Sequence, residues 1–266
     1  GSIRFEVQPI SGSSIRNLDL RRLKEYFEVV RQQQCPALDD EAAWLPFLIN
    51  TELMMEGDAV DPATAAGILL FGRTPNRYLP QSGIDAVAYA GIEKDVAAME
   101  RVSIRGAMVR LGSEGEPVEN GLWEAARSFL QRHLSHEMLD EQERRIQRWD
   151  IPKEVLREAL INALVHRDYL LSATTIELSI YRDRVEIVSP GRLPNGINPD
   201  RMRAGCRAAR NQLLKDTMRD YGYMEHMGLG IPRKIVPLMR IHNNTEPGLI
   251  VGEEQFTIAL SRIPRG

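Results

Sequence analysis

The amino-acid sequence predicts an α+β protein, and three observations carry that prediction. The runs TTIELSIYR (174–182), RVEIVSPG (184–191) and QFTIALSR (255–262) alternate apolar and polar residues as half-buried strands do, the first two joined by a tight turn at Asp183. Stretches 17–33 and 116–134 repeat apolar residues at helical spacing. Segment 158–169, EALINALVHRDY, is apolar almost all round a helix, which marks it as buried. Together they give a layer of strands, antiparallel in part, with helices on one face.

Taken in order, residues 3–16 read as an entry strand followed by a polar linker. NLDLRRLKEYFEVVRQQ (17–33) sets Leu20, Leu23, Phe27 and Val30 on one helix face, with Asn17 or Asp19 as its cap. A second helix is expected over 39–55. The stretch 61–72 starts at a turn and runs apolar to Gly72, and 73–83 is dense in turn residues, an ordered loop. Strands are expected over 84–91 and 102–111. Helix 116–134 is followed by the charged stretch 135–150, where we place a boundary. It divides the chain into an N-terminal and middle α+β domain (1–145), with something of a winged-helix arrangement, and a C-terminal domain (146–266). After the two central strands come a loop over 192–202, a helix over 208–224 and a helix over 227–243 that starts on glycines.

The 266 residues are 43% hydrophobic and 27% charged, the balance of a globular chain with a core. A net charge of −3 and a sequence pI near 6.0 exclude a chain that coats nucleic acid by bulk charge, while leaving room for a local basic patch. No long apolar run is present, so no membrane span is expected. Cys35 and Cys206 are far apart, form no metal-ligand spacing and read as reduced thiols of a cytoplasmic protein. His133, His136, His226 and His242 show no zinc spacing. The absence of a Walker-type Gly-Lys-Thr/Ser loop argues against a helicase motor. Gly1–Ser2 reads as the scar of a cleaved tag, and the chain as a fragment.

Glu158, Asn162 and His166 stand four residues apart and, at roughly 100° per residue, fall within about 80° of one another. A buried carboxylate without a partner costs several kcal/mol or rises in pKa. The stripe should therefore face a solvated pocket or polar partners; a surface helix with a few inward polar contacts is the other reading. MGLGI (227–231) sets Gly228 and Gly230 just ahead of a helix, where bare N–H groups can meet a phosphate. A helix-starting turn is the commoner explanation of two such glycines. RVEIVSPG ends its strand at a Pro-Gly turn that leads to Gly196.

The segments ALINALVHRDY, VEIVSPGRLPNGI, MGLGI and the closing FTIAL strand resemble the divergent GHKL-type ATPase module of a family of bacterial transcriptional regulators, often labelled ATP-dependent helicase-related. AAGILLFGRTPNRYLPQSGIDAVAYAG resembles the middle segment of that family, and the likeness runs from about Ile3 to Arg262. It implies a GHKL-like two-layer α/β sandwich for the C-terminal domain. It also implies an AlbA-like, Schlafen-type domain ahead of this chain in the full-length protein, which would bring DNA as a partner. The GHKL motif Glu-x-x-x-Asn makes Glu158 the general base and Asn162 the Mg²⁺ ligand, with His166 and Arg167 near the phosphates of ATP. Gly228 and Gly230 match the glycine-rich turn whose backbone meets the triphosphate. The class reads adenine with an aspartate in an Asp-x-Gly-x-Gly turn. Here Ser189-Pro190-Gly191 stands in its place, followed by Gly196, and Ser189 is a neutral substitute. A missing hydrogen-bond partner in such a site costs about 1–3 kcal/mol.

The resemblance thus implies a regulatory fragment whose degenerate ATP/Mg²⁺ site controls association into a homo-oligomer; the alternative is a non-catalytic dimerisation scaffold with a vestigial site. Arg201, Arg203, Arg207, Arg210, Lys215 and Arg219 form the strongest basic cluster, facing either phosphates or solvent beside a partner subunit. Asn211 within it reads as a loop anchor. Asp39, Asp40, Glu41, Glu52 and Glu56 suit packing or oligomer contacts better than a DNA groove. Trp44, Trp123 and Trp149 read as core or interface residues.

Overall fold

A computed structural model describes residues 4–193, 197–205 and 210–264 of the protein. Gly196, Cys206 and Arg207 lie outside the described residues. In chain order the strands are β1 (Ile84–Ala88), β2 (Glu100–Ile104), β3 (Leu111–Gly112), β4 (Pro117–Glu119), β5 (Ser135–Leu139), β6 (Arg145–Trp149), β7 (Ile176–Ile180), β8 (Arg184–Pro190), β9 (Gly248–Val251) and β10 (Gln255–Ser261). The helices are α1 (Leu20–Glu25), α2 (Glu41–Asn50), α3 (Ala65–Phe71), α4 (Pro75–Tyr78), α5 (Leu122–Leu134), α6 (Lys153–His166), α7 (Pro199–Arg203), α8 (Gln212–Asp220) and α9 (Val236–Leu238). Wider helical turns at Ile231–Ile235 and Met239–Asn243 extend α9 in both directions.

One mixed sheet, in the order β2-β1-β7-β8-β10-β9, organises these elements. Among the described residues only β1 and β7 pair in parallel, Ile84 opposite Ile176; the other neighbours in this sheet are antiparallel. A parallel pair needs a long crossover, and residues 89–175 supply it with α5 and α6. These two helices cover one face of the sheet, α5 against β1 and β2 and α6 against β8. On β1, Ile84, Ala86 and Ala88 are buried, while Asp85 and Val87 point to the opposite, more open face. The α+β class expected from the sequence is the class observed.

The stretch 135–150 is the β5–β6 hairpin. Beyond it, strands from both sides of residue 145 share the six-stranded sheet, so the expected division there does not separate two sheets. Residues 4–16 likewise differ from the expected strand: Phe5–Val7 is a single helical turn. Its Glu6 accepts the backbone N–H groups of Leu213 at 2.9 Å and Leu214 at 3.1 Å, capping the start of α8. Tyr26 donates to Asp220 at 2.6 Å near the other end of α8. The N-terminal helices are thereby tied to the C-terminal half.

Asp19 is the cap of α1, accepting from the Arg21 N–H at 3.0 Å, whereas Asn17 closes a small capping box with Ser14. The strand expected to run to residue 111 stops at Ile104. Gly106 has φ +128°, a conformation that L side chains avoid and that turns the chain out of the sheet. Edge strand β9 escaped the sequence reading because only Leu249 of its four residues is buried, leaving no alternation to see. Trp44 and Trp123 are buried in the core. No helix among the described residues is long and apolar enough to cross a membrane.

Candidate functional site

The C-terminal end of α6 is held by side chains from the turn ahead of α8. Asn211, in the left-handed conformation at φ +57°, donates its amide to the carbonyls of Val165 at 2.8 Å and Arg167 at 2.9 Å. Arg210 donates to the carbonyl of His166 at 3.0 Å. Three otherwise unpaired carbonyls at and just beyond the helix end are satisfied in this way. Asn211 is thus a loop anchor, as its position in the sequence suggested.

With α6 fixed, its polar stripe borders a cavity that is partly open to solvent. Asn162 and His166 line it from α6, Ser189 and Gly191 from the end of β8, and Gly228 and Gly230 from the turn ahead of Ile231–Ile235. Six residues singled out in the sequence are therefore brought together. Ile187, Phe256 and Ile258 form an apolar wall from the sheet. Such a space, apolar with a few convergent polar groups, suits a small organic ligand.

Glu158 lies beneath this cavity, with 0% of its surface exposed. Its Oε1 is 3.4 Å from the Lys234 ammonium, a charge contact without a hydrogen bond. Burial pushes its pKa up, and Lys234 opposes that push. Gly230 presses on the same carboxylate: a Cβ placed there would stand 2.2 Å from Glu158 Oε2. Asn162 donates its amide to the Glu158 carbonyl at 2.6 Å, so its Oδ1 is the atom left for a ligand.

His166 is neutral at pH 7. Burial, with the charges of Lys215 and Arg210, pushes its pKa down to about 4. Its Nδ1 is buried without a hydrogen-bond partner among the described residues. It therefore offers a ligand an uncharged hydrogen-bonding group, in contrast to the cation a phosphate neighbour would call for. Because the unfolded side chain takes up a proton near pH 6.5 and the folded one only near 4, stability is full above 6.5 and declines as pH falls through that window. On the order of 2–3 kcal/mol is at stake. The denaturation midpoint should fall between pH 7 and 4.5 in the wild type and fall less in His166→Gln.

Arg167 takes no part in the cavity. Its guanidinium donates to the carbonyls of Gln81, Thr174, Asp168 and Leu171 at 2.8–3.1 Å and stacks 4.7 Å from the Tyr169 ring. These bonds all run away from the cavity, whereas the resemblance implied a place near phosphates. Ser189 donates to the Phe256 carbonyl at 3.4 Å within the sheet, a long bond. Gly191 has φ +120° and donates to the Glu254 carbonyl at 2.8 Å. Gly228 has φ +70°. The next N–H in its turn, that of Leu229, is already accepted by the Glu225 carboxylate at 2.7 Å. A carboxylate thus holds one of the donors expected to meet a phosphate. Against the upward push of burial, the N–H groups of Leu229 and Met227 and the charges of Arg233 and Lys234 keep Glu225 below its usual range.

Sequence reasoning missed Lys234 and Glu225. Neither belongs to a short motif, and only folding of the 225–235 turn onto α6 brings them to the stripe. Arg210 lay within the basic cluster, yet its bond to the helix-end carbonyl is a tertiary contact.

The striped helix, the mixed sheet and the glycine turn form one α+β unit, and part of it is similar to a known family. Residues 173–260 match the family described as “Putative ATP-dependent DNA helicase recG C-terminal”. That stretch begins after α6, so it includes Ser189, Gly191, Gly228 and Gly230 but not the stripe itself. The crystal structure of the DIP2311 protein from Corynebacterium diphtheriae has the same fold, with a TM-score of 0.68 and 17% identity. The likeness covers 99% of this chain and 48% of that one, so the present chain spans about half the length of its structural relative. No curated protein matches the chain.

Proposed function

We propose that the cavity between α6, the end of β8 and the Gly228–Gly230 turn binds an adenine nucleotide, and that occupancy rather than turnover is the functional event. The observation that carries this reading is the convergence of Asn162, His166, Ser189, Gly191, Gly228 and Gly230 on one cavity. The residues present fit such a ligand. The apolar wall suits a base, Nδ1 of His166 is an unpartnered polar atom, and Oδ1 of Asn162 is an oxygen of the kind Mg²⁺ prefers. Bound Mg²⁺ would offset the charge of the nucleotide phosphates.

Glu158 fits the role of general base poorly. A base must reach the water it activates, and this carboxylate is sealed from the cavity side and held against Lys234. Binding without hydrolysis suits a regulatory module in which the ligand changes how subunits of a longer, DNA-associated protein assemble. The scaffold reading remains the rival.

A thermal-shift series with ATP, ADP and a non-hydrolysable analogue, each with and without Mg²⁺, separates the two. A ligand at 100 times its Kd stabilises the fold by about 2.7 kcal/mol, or several degrees for a chain of this size, at about 2–4 °C per kcal/mol. The expected result is a Mg²⁺-dependent rise, equal for ATP and the analogue and lost in Asn162→Ala, with phosphate release at background. No rise at millimolar ligand would favour a scaffold.

A further inference from the structure

A second cavity, of about 500 Å³ and partly open, lies at the other end of α6 and shares no lining residue with the nucleotide cavity. Four cations border it: Arg110, Arg127, Lys153 and Arg157. Arg110 is the unusual one. It is only 8% exposed, yet its guanidinium makes no hydrogen bond or ion pair among the described residues, and its Nε is buried without a partner. It lies instead over the rings of Tyr221 and Tyr223, at 5.5 and 5.0 Å from their centroids. A buried guanidinium normally has its donors filled.

The surrounding groups leave that demand open. Arg127 and Lys153 also make no hydrogen bond or ion pair among the described residues, and Arg157 pairs with the exposed Glu114 at 3.6 Å while its charge also acts on the buried Glu158. The buried acid nearby, Glu124, feels the charge of Arg110, but its hydrogen bonds are taken by the Tyr223 hydroxyl and the Gly121 N–H at 2.9 Å each. Glu154, the remaining acid on the wall, is exposed to solvent. Among the described residues no side chain caps the N-terminus of the 14-residue α6 at Lys153, so the helix adds its positive end to the same space.

We propose that this cavity is a binding site for a compact dianionic oxyanion, phosphate alone or the phosphate head of a small molecule, with Arg110 as its central ligand. Arg110 supplies a planar fork of donors pre-oriented by the two tyrosine rings. Arg127, Lys153 and Arg157 supply the remaining charge. The proposal stands apart from the nucleotide reading, because the two cavities have no residue in common.

The test is a thermal-shift and calorimetric titration of the whole chain with inorganic phosphate and with phenyl phosphate, against chloride at matched ionic strength. Phosphate should raise the melting temperature where chloride does not. Arg110→Met keeps an apolar stem against the two tyrosine rings and should bind phosphate about ten- to a hundredfold more weakly. Lys153→Ala and Arg127→Ala, at less buried positions, should each weaken binding with the fold intact. Asn162→Ala should leave the phosphate response unchanged. Tighter binding of phenyl phosphate would assign the site to a monoester, and weaker binding to free phosphate. A shift equalled by chloride, retained in Arg110→Met or lost in Asn162→Ala would overturn the proposal.

Discussion

Replacement of Arg167 by methionine is expected to cost several kcal/mol of stability, since four backbone carbonyls lose a donor and a buried group left unpaired costs about 1–3 kcal/mol. Arg167 is 1% exposed, and its four hydrogen bonds all go to backbone carbonyls. Without the guanidinium, those of Gln81, Thr174, Asp168 and Leu171 lose a donor in a place water reaches poorly. The same turn holds the end of β8, since the Asp168 N–H donates to the Pro190 carbonyl at 2.8 Å. The loss should therefore also weaken binding in the cavity. Arg167→Lys should not rescue stability, because an ammonium is a point charge and cannot span carbonyls on two sides as the planar fork does. Urea denaturation of the three proteins checks this; a loss below about 1 kcal/mol in the methionine variant would show that the carbonyls find other donors.

Gly230→Ala carries the second large effect, with a sign opposite to propensity. Gly230 has φ −59°, where alanine is ordinarily preferred, and in an open helix the change would gain up to about 1 kcal/mol. Here the new methyl would meet Glu158 Oε2 at 2.2 Å and Cδ at 3.0 Å, and the carboxylate is walled in by α6 and the 225–235 turn. Overpacking of this kind costs about 1–3 kcal/mol. The displaced carboxylate should also disturb Asn162 and reduce the nucleotide response. In a Glu158→Ala background the same substitution should be neutral or stabilising, a coupling that a double-mutant cycle reads directly. Equal effects in both backgrounds would show that the contact with Glu158 is not what makes glycine necessary.

Much of this site was legible in the sequence because its chemistry is local. Glu158, Asn162 and His166 share one helix face by spacing alone, and a fully apolar remainder required that face to meet something polar. The β7–β8 hairpin and β10 were visible from their alternation. What escaped notice depends on tertiary placement. Arg167 follows His166 directly and looked like part of the same site, but the helix ends between them and sends the guanidinium into the core. Glu225 and Lys234 carry no motif and gain meaning only when their turn folds onto α6. Gly228–Gly230 was noticed as a phosphate turn, yet close approach to a carboxylate is what requires glycine at position 230. In the 135–150 stretch the charges obscure a hairpin whose β6 strand is mostly solvent-exposed.

Titration calorimetry with Mg²⁺–ADP separates a live nucleotide site in the α6 cavity from a vestigial one, since ADP binding requires no turnover. A live site gives one saturable binding event per chain, lost in Asn162→Ala and weakened in Gly230→Ala. Absence of saturable heat at millimolar ADP, or binding that Asn162→Ala leaves untouched, would contradict it.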